Sequence, residues 1–266
     1  MFSPELTVSP AYYDEYGQPC YPVGQEKGLI EFQENRLIKQ ALADGYTAAV
    51  ATTLFDIIGR QVALAASRGP ADVLEIGGGS GAFYARVKNN ARTYINIEPG
   101  HIPLSGEALE RLKDPGYACL KCSAEDIPLP DESVDVILSI ASLDHVPDYR
   151  KALAEVGRLL RKGGVLILTL NNRRSWWKVL LSRTAYLKRR EEEIAREHYF
   201  QWSLSECEAR LAEFVPVRRI YTTTFVPYVP HLWRPLLPAS DLLGGSLLPR
   251  YGANIIALCR KPGEEA

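Results

Sequence analysis

Apolar residues along the chain fall into two alternating patterns. Helical spacing occupies Glu26 to Ala43, with Ile30, Leu37 and Ala41 flanked by Phe32, Ile38 and Leu42. It recurs over Ala48 to Ser67 through Ala51, Leu54, Phe55, Ile58, Val62 and Ala65, until Gly69-Pro70 stops it. Short apolar runs then predict strands at Asp72–Ile76, Thr93–Ile97, Tyr117–Lys121, Val134–Ile140 and Val165–Leu170, with helical stretches between them. Strands alternating with helices predict a parallel sheet with right-handed crossovers and helices on both faces. Before the fifth strand, Asp148 is placed to cap a helix with core face Ala152, Leu153, Val156, Leu159 and Leu160, ended by Gly163-Gly164. Ser203-x-x-Glu206 is a capping-box pattern for a helix running to about Phe214, and Arg218–Phe225 and Asn254–Arg260 supply two late β-rich segments.

The first strand empties into Ile-Gly-Gly-Gly-Ser-Gly, residues 76–81. Gly77, Gly78, Gly79 and Gly81 leave the backbone open to a ligand, and helical spacing over Ala82–Asn89 predicts a helix N-terminus aimed at the same crevice. Such a turn indicates a nucleotide-like ligand without specifying a reaction, because Gly77, Gly79 and Ala82 also satisfy the relaxed dinucleotide pattern. A nicotinamide-dependent oxidoreductase is therefore an alternative, against which stands the want of a substrate domain of the usual size.

Further residues narrow the choice. Glu75 precedes the first glycine, Glu98 closes the second strand, Ser123-Ala124-Glu125-Asp126-Ile127-Pro128-Leu129-Pro130 follows the third, and Asp144-His145-Val146-Pro147-Asp148 follows the fourth. This order resembles the class I S-adenosylmethionine-dependent methyltransferases of the small-molecule branch, closely over Asp72–Asn171 and loosely on the flanks. The resemblance implies a Rossmann-like α/β fold: a seven-stranded, mostly parallel sheet with helices on both faces, an antiparallel last strand inserted beside the fifth, and an N-terminal helical cap. It divides the chain into an arm and cap over residues 1–69 and a methyltransferase core over 70–266. It also implies S-adenosyl-L-methionine as cofactor, held by Glu75, Gly77, Gly78, Gly79, Gly81, Glu98, Ser123, Ala124, Glu125 and Ser139. Glu98 would accept from both ribose hydroxyls, a task for a carboxylate because both partners are donors. Related sequences carry Asp where Ser123 stands, so adenine recognition falls to an uncharged hydroxyl or to Glu125.

Methyl transfer from a sulfonium mainly requires alignment of the nucleophile, and a base is needed only where the acceptor must lose a proton. His145 with Asp144 is the candidate, since imidazole titrates near neutrality and a carboxylate tunes it. The Asp-His-Val-Pro-Asp run is similar to the Glu-His-Val-Pro-Asp of ubiquinone-pathway O-methyltransferases. Members of that group have been linked to a divalent metal through an upstream acid, but Ala141 stands at that place and no metal is expected.

The balance of 31 Lys and Arg against 32 Asp and Glu argues against a nucleic-acid partner. The absence of a long apolar run or a basic-then-apolar leader makes a cytoplasmic protein with no transmembrane segment the expectation. Five cysteines include Cys119-x-x-Cys122, which has no second pair and would straddle the sheet, so structural thiols are expected.

The acceptor side is read from three segments. The Pro- and Tyr-rich arm to Tyr21 offers Tyr12, Tyr13 and Tyr16 as lid residues. Residues 172–200 carry eight Lys or Arg against four Glu, with Trp176 and Trp177 at the start, a composition suited to a substrate cover, to peripheral membrane contact or to a plain solvated helix. The segment Val226–Tyr251, with Trp233, is too long for a simple hairpin loop. Tyr13, Arg173, Trp177 and Trp233 are the candidate substrate contacts, for a small-molecule, glycan or lipid-type acceptor. A protein that binds the cofactor without catalysis is the remaining alternative, and oligomeric state is not readable.

Overall fold

The computed structural model describes residues 4–22, 45–100, 106–181, 184, 198–225 and 237–263. Glu26–Ala43, most of the basic stretch 182–197 and Trp233 lie outside them. The main sheet has seven strands in the order β5-β4-β3-β6-β7-β9-β8, where β3 is Ala71–Ile76, β4 Ala91–Ile97, β5 Tyr117–Leu120, β6 Val134–Ile140, β7 Leu160–Asn171, β8 Val217–Thr223 and β9 Asn254–Arg260. Strands β5, β4, β3, β6 and β7 run parallel, whereas β9 is antiparallel to both β7 and β8. The chain order reverses at β3, whose two neighbours β4 and β6 diverge beyond their carboxyl ends and open a crevice there.

Strand side chains alternate between two buried layers, as the period of two requires. On one face Leu74, Ile76, Ile137, Leu166 and Leu168 meet helix α4 (Tyr149–Leu159) through Ala152, Leu153, Val156 and Leu159, and helix α6 (Leu204–Ala212) through Leu204, Cys207 and Leu211. On the other, Val73, Val136, Leu138 and Ile167 meet helix α1 (Gly45–Ala65) through Leu54, Ile58 and Val62. Cys119 and Cys122 fall in opposite layers, so they cannot share a ligand, and all five thiols are free and buried.

Asp148 caps α4, its side chain accepting from the N–H groups of Arg150 and Lys151, and Ser203 with Glu206 completes a full capping box on α6. Such caps contribute about 1 kcal/mol each.

Two local expectations are corrected. Gly163-Gly164 does not end α4. The chain turns extended at Leu160, and the glycines lie within β7, where Gly163 takes φ 77° and donates to Lys261 O. The helix expected over Ala82–Asn89 is a single turn, α2 (Tyr84–Val87), because β4 begins at Ala91 and leaves no room for more.

The N-terminal arm forms a two-stranded ribbon, β1 (Tyr12–Tyr13) with β2 (Pro19–Cys20). It joins the sheet edge at the end of β5, where Lys121 N–H donates to Pro19 O and Tyr21 N–H donates to Lys121 O. After β7 come α5 (Trp176–Leu181), then α6 and β8, and the late insertion contains α7 (Leu237–Leu247). No helix among the described residues is long and apolar enough to cross a membrane.

Candidate functional site

The glycine turn leaves β3 at the strand reversal and is braced from below. Glu75 is buried in the strand and accepts from the Tyr94 hydroxyl at 2.5 Å. Burial and the Glu75 charge together push the Tyr94 phenol well above its ordinary value. Asn96, fully buried on β4, donates to Gly79 O at 2.9 Å, and Arg111 from α3 (Glu107–Leu112) donates to Ser80 O.

The glycines are needed partly for what lies behind them. A Cβ on Gly78 would stand 2.3 Å from Glu75 Oε2 and from Asn96 Oδ1, and one on Gly81 would stand 2.1 Å from the Tyr117 hydroxyl. Expected only as an opening for a ligand, these positions are also fixed by side chains packed beneath the turn.

Glu98 ends β4 and spans the crevice. Its Oε2 accepts from Gly79 N–H at 2.9 Å and its Oε1 from Gly100 N–H at 3.1 Å. Each oxygen keeps a second lone pair, so the carboxylate can take ribose hydroxyls while still holding the turn. Asn96 Oδ1 is buried beside the same turn without a hydrogen-bond partner. The donor and acceptor set around Gly77–Gly79 thus fits a nucleoside-bearing cofactor.

Where the sequence places the adenine contacts, the loop after β5 is internally tied. Ser123 Oγ donates to Glu125 Oε2 at 3.1 Å, and Glu125 Oε1 accepts from Asp148 N–H at 2.6 Å. Glu125 therefore locks this loop to the start of α4, which leaves less of it for a base than the sequence reading allowed. Ala124 is buried beside them, and Ser139 pairs with Ser142, whose hydroxyl donates to Ile76 O. Ser139 and Ser142 join β6 to the root of the glycine turn.

Just past β6, Ala141 sits at φ 49°, a left-handed conformation costly for a residue with a Cβ. Its N–H bonds the main-chain and side-chain oxygens of Thr169. A short 3-10 turn, Leu143–His145, follows and buries Asp144. Asp144 Oδ2 lies 3.5 Å from His198 Nε2, Asp144 Oδ1 has no hydrogen-bond partner, and the rings of His145 and His198 pack with centroids 4.2 Å apart, tilted by 36°. Tyr199 N–H donates to Asp144 O, which pins the segment carrying His198 against the turn. One ligand atom from each of Asp144, His145 and His198 lies within 4.8 Å of the others, so this carboxylate and two imidazoles can also hold a divalent transition metal. His198 is not legible as a site residue in the sequence: it is distant along the chain and embedded in a charged run, and only the fold brings it here.

The substrate candidates are scattered. Tyr13 is exposed on the ribbon beside β5. Arg173 is engaged by Glu206 at 2.7 Å, so an anionic acceptor must displace that carboxylate. Trp177 is half-buried under Lys178, while Trp176 donates its indole N–H to Phe225 O at 2.7 Å. The expected meeting of Trp177 with Trp233 falls on a residue outside the described set. A second concavity, about 400 Å³ and lined by Asp72, Thr93, Val134 and Arg161, lies at the amino ends of the strands, away from the glycine turn.

Comparison with known proteins agrees with this geometry. Residues 74–168 match the family described as methyltransferase domain. An uncharacterised methyltransferase of Mycobacterium sp. strain JLS is 34% identical over 130 residues, 48% of each chain. The phthiotriol/phenolphthiotriol dimycocerosates methyltransferase of Mycobacterium tuberculosis is 31% identical over 134 residues, 48% of this chain and 49% of that one. The matches span about half the length of these curated relatives. The solved structure of Burkholderia thailandensis 1,6-didemethyltoxoflavin-N1-methyltransferase shares the fold at TM-score 0.58, with 15% identity over 96% of this chain and 100% of that one. Residues 74–168 are thus similar to methyltransferase domains, and the glycine turn and the acid after the next strand sit on a seven-stranded sheet with an antiparallel insertion that has the Rossmann-like fold of the class I methyltransferases.

Proposed function

We propose that the protein transfers a methyl group from S-adenosylmethionine to a small, largely apolar acceptor that must lose a proton. The observation that carries this reading is the convergence, at the carboxyl ends of β3, β4 and β6, of the Glu98-braced glycine turn and the Asp144–His145–His198 group.

Glu98 and the Gly77–Gly79 backbone hold the ribose and methionine parts, and Ser123 with Ala124 borders the adenine. The bound cofactor supplies an activated methyl group. The chain aligns the acceptor and receives its proton: the His198 imidazole lies 3.5 Å from the Asp144 carboxylate and the His145 ring packs against it, so a proton leaving the acceptor has a nearby destination. An apolar, lipid-type acceptor is supported by the lipid methyltransferase among the relatives and by the aromatic residues of α5. Tyr13, Arg173, Trp177 and Trp233 stay as the substrate contacts to test.

Parallel calorimetric titrations with S-adenosylhomocysteine and NAD examine the cofactor. The reading expects binding of the first only, and NAD binding alone overturns it. Labelled-methyl transfer to a panel of hydroxylated lipids and aromatic phenols examines the acceptor, and cofactor binding without transfer to any class would favour an accessory role.

A further inference from the structure

Helix α7 is built inside out. Its sole acid, Asp241, faces the protein, accepting from the N–H groups of Thr224 and Phe225 and from the Thr223 hydroxyl. Gly244 also faces inward, so close to the Phe225 ring that a Cβ there would stand 2.1 Å from it. The leucines point the other way: Leu242, Leu243 and Leu247 are 74%, 63% and 76% exposed. An amphipathic helix on a protein in water places its apolar stripe on the core. Here the stripe faces out, so the helix stabilises the fold through one half-buried carboxylate and a flush glycine contact.

Helix α5 is anchored on the same residue, through the Trp176 indole and Phe225 O, and its backbone joins the end of the insertion where Trp176 N–H donates to Tyr251 O. It too exposes apolar side chains, Val179 and Leu180, the latter 71% exposed. The two helices thus flank Phe225 with neighbouring exposed aliphatic surfaces. Residues 172–181 and 237–251 contain four bases, Arg173, Arg174, Lys178 and Arg250, against the single acid Asp241, which is turned inward; Arg173 is engaged by Glu206, which leaves the other three for the rim. Arg174 and Arg250 are exposed, and Lys178 lies beside Trp177.

We propose that α5 and α7 form a docking face for an anionic lipid surface, with the leucines entering the acyl boundary and the basic residues meeting headgroups. Exposed leucine with a basic rim is the chemistry of an interfacial helix, and neither helix is built to span a bilayer. Charge selects the occupant: a second copy meeting this face two-fold would set one basic rim against another. The inference goes beyond the methyl-transfer reading and does not depend on it, because docking is measured without either substrate.

The test is co-sedimentation of the full chain with vesicles of phosphatidylcholine alone or mixed with phosphatidylglycerol. The chain is expected to sediment with the mixed vesicles, weakly with the neutral ones, and less as salt rises. The triple variant L242S/L243S/L247S should lose about tenfold or more in partitioning while its far-ultraviolet circular dichroism is unchanged, since the removed groups already face solvent. Should the triple variant unfold, L243D alone serves the same purpose. K178Q/R250Q should lower binding to mixed vesicles several-fold and leave the weak neutral binding as it was. The proposal is overturned if the unmodified chain stays in the supernatant, or if a folded leucine variant binds as well as the original. It is equally overturned if the leucines prove to mediate self-association by sedimentation velocity in a chain that ignores vesicles.

Discussion

The cofactor end and the cover beyond β7 are built on opposite principles. Around the glycine turn nearly every polar group already has a protein partner: Glu75 holds Tyr94, Asn96 holds Gly79, Glu98 holds Gly79 and Gly100, and Ser142 holds Ile76. Such a site is organised before its ligand arrives, which lowers the ordering cost of binding. The cover instead rests on a few anchors, Asn172 to the carbonyls of Arg250 and Gly252, Trp176 to Phe225, and Asp241 to Thr223–Phe225, and it leaves leucines outside. On the proposed reading, one half fixes a ligand common to many acceptors. The other presents surface that a particular acceptor or membrane can select.

The largest effect should come from attacking the preorganised half at its turn. Gly79 has φ 58°, so Gly79→Val forces a branched side chain into a left-handed position beside the Glu98 carboxylate. Calorimetry should detect no S-adenosylhomocysteine binding while circular dichroism shows the sheet intact, and retained affinity would mean that the ligand lies elsewhere.

Next comes the junction between the halves. Asp144→Asn, and separately His198→Ala, should lower kcat about 10²- to 10⁴-fold with cofactor affinity unchanged, because proton transfer is lost and the turn is not. A chelator added to the unmodified enzyme separates two uses of the same atoms: the base reading expects an unchanged rate, whereas a rate that falls and returns with added metal assigns the group to an ion.

A smaller loss is expected from Glu98→Ala, about tenfold to a thousandfold in cofactor affinity. On the proposed reading the substitution removes two charge-assisted bonds to ribose, each about 1.5–3 kcal/mol, and water replaces part of them. The structure adds a second expectation, that Gly79 and Gly100 N–H groups lose their acceptor and exchange hydrogen faster. Unchanged affinity in a folded variant would remove Glu98 from the cofactor site.

The amino ends of the strands offer a control away from both halves. Burial works against charge on Asp72, but hydrogen bonds from Arg92, Thr93 and Arg161 outweigh it and hold its carboxyl at about 2. With the folded value below the unfolded one, the stabilisation is complete above about pH 4 and is lost as pH falls through about 2. Asp72→Asn should therefore cost about 2 kcal/mol at neutral pH, flatten the acid limb of the unfolding curve, and leave cofactor affinity untouched. A variant as stable as the original would show that the Arg92 and Arg161 contacts are offset by desolvation.

The strand pattern was legible because it is local. Val134–Ile140 and Asn254–Arg260 coincide with β6 and β9, since short apolar runs between turns have few other ways to bury themselves. Asp148 and the Ser203–Glu206 box were legible for the same reason, a cap being written within four residues. Errors arose where neighbours in space set the outcome. Gly163-Gly164 looks like a helix stop, yet pairing with β9 and Lys261 draws it into β7. The Ala82–Asn89 pattern is helical, yet the distance back to β4 permits one turn.

By itself, then, the sequence determined the alternating strands and helices, the glycine turn, the acid after the next strand and the Asp-His pair after the fourth, because each is carried by residues close together in the chain. Only the tertiary structure decided that Glu125 is spent on Asp148, that Arg173 is held by Glu206, that His198 joins Asp144 and His145, and that the leucines of α7 face outward. The physical reason is the same in all four. Which donor meets which acceptor, and which face of a helix is left uncovered, depends on segments separated by tens of residues, whose approach is set by the packing of the sheet and not by the pattern of any one stretch.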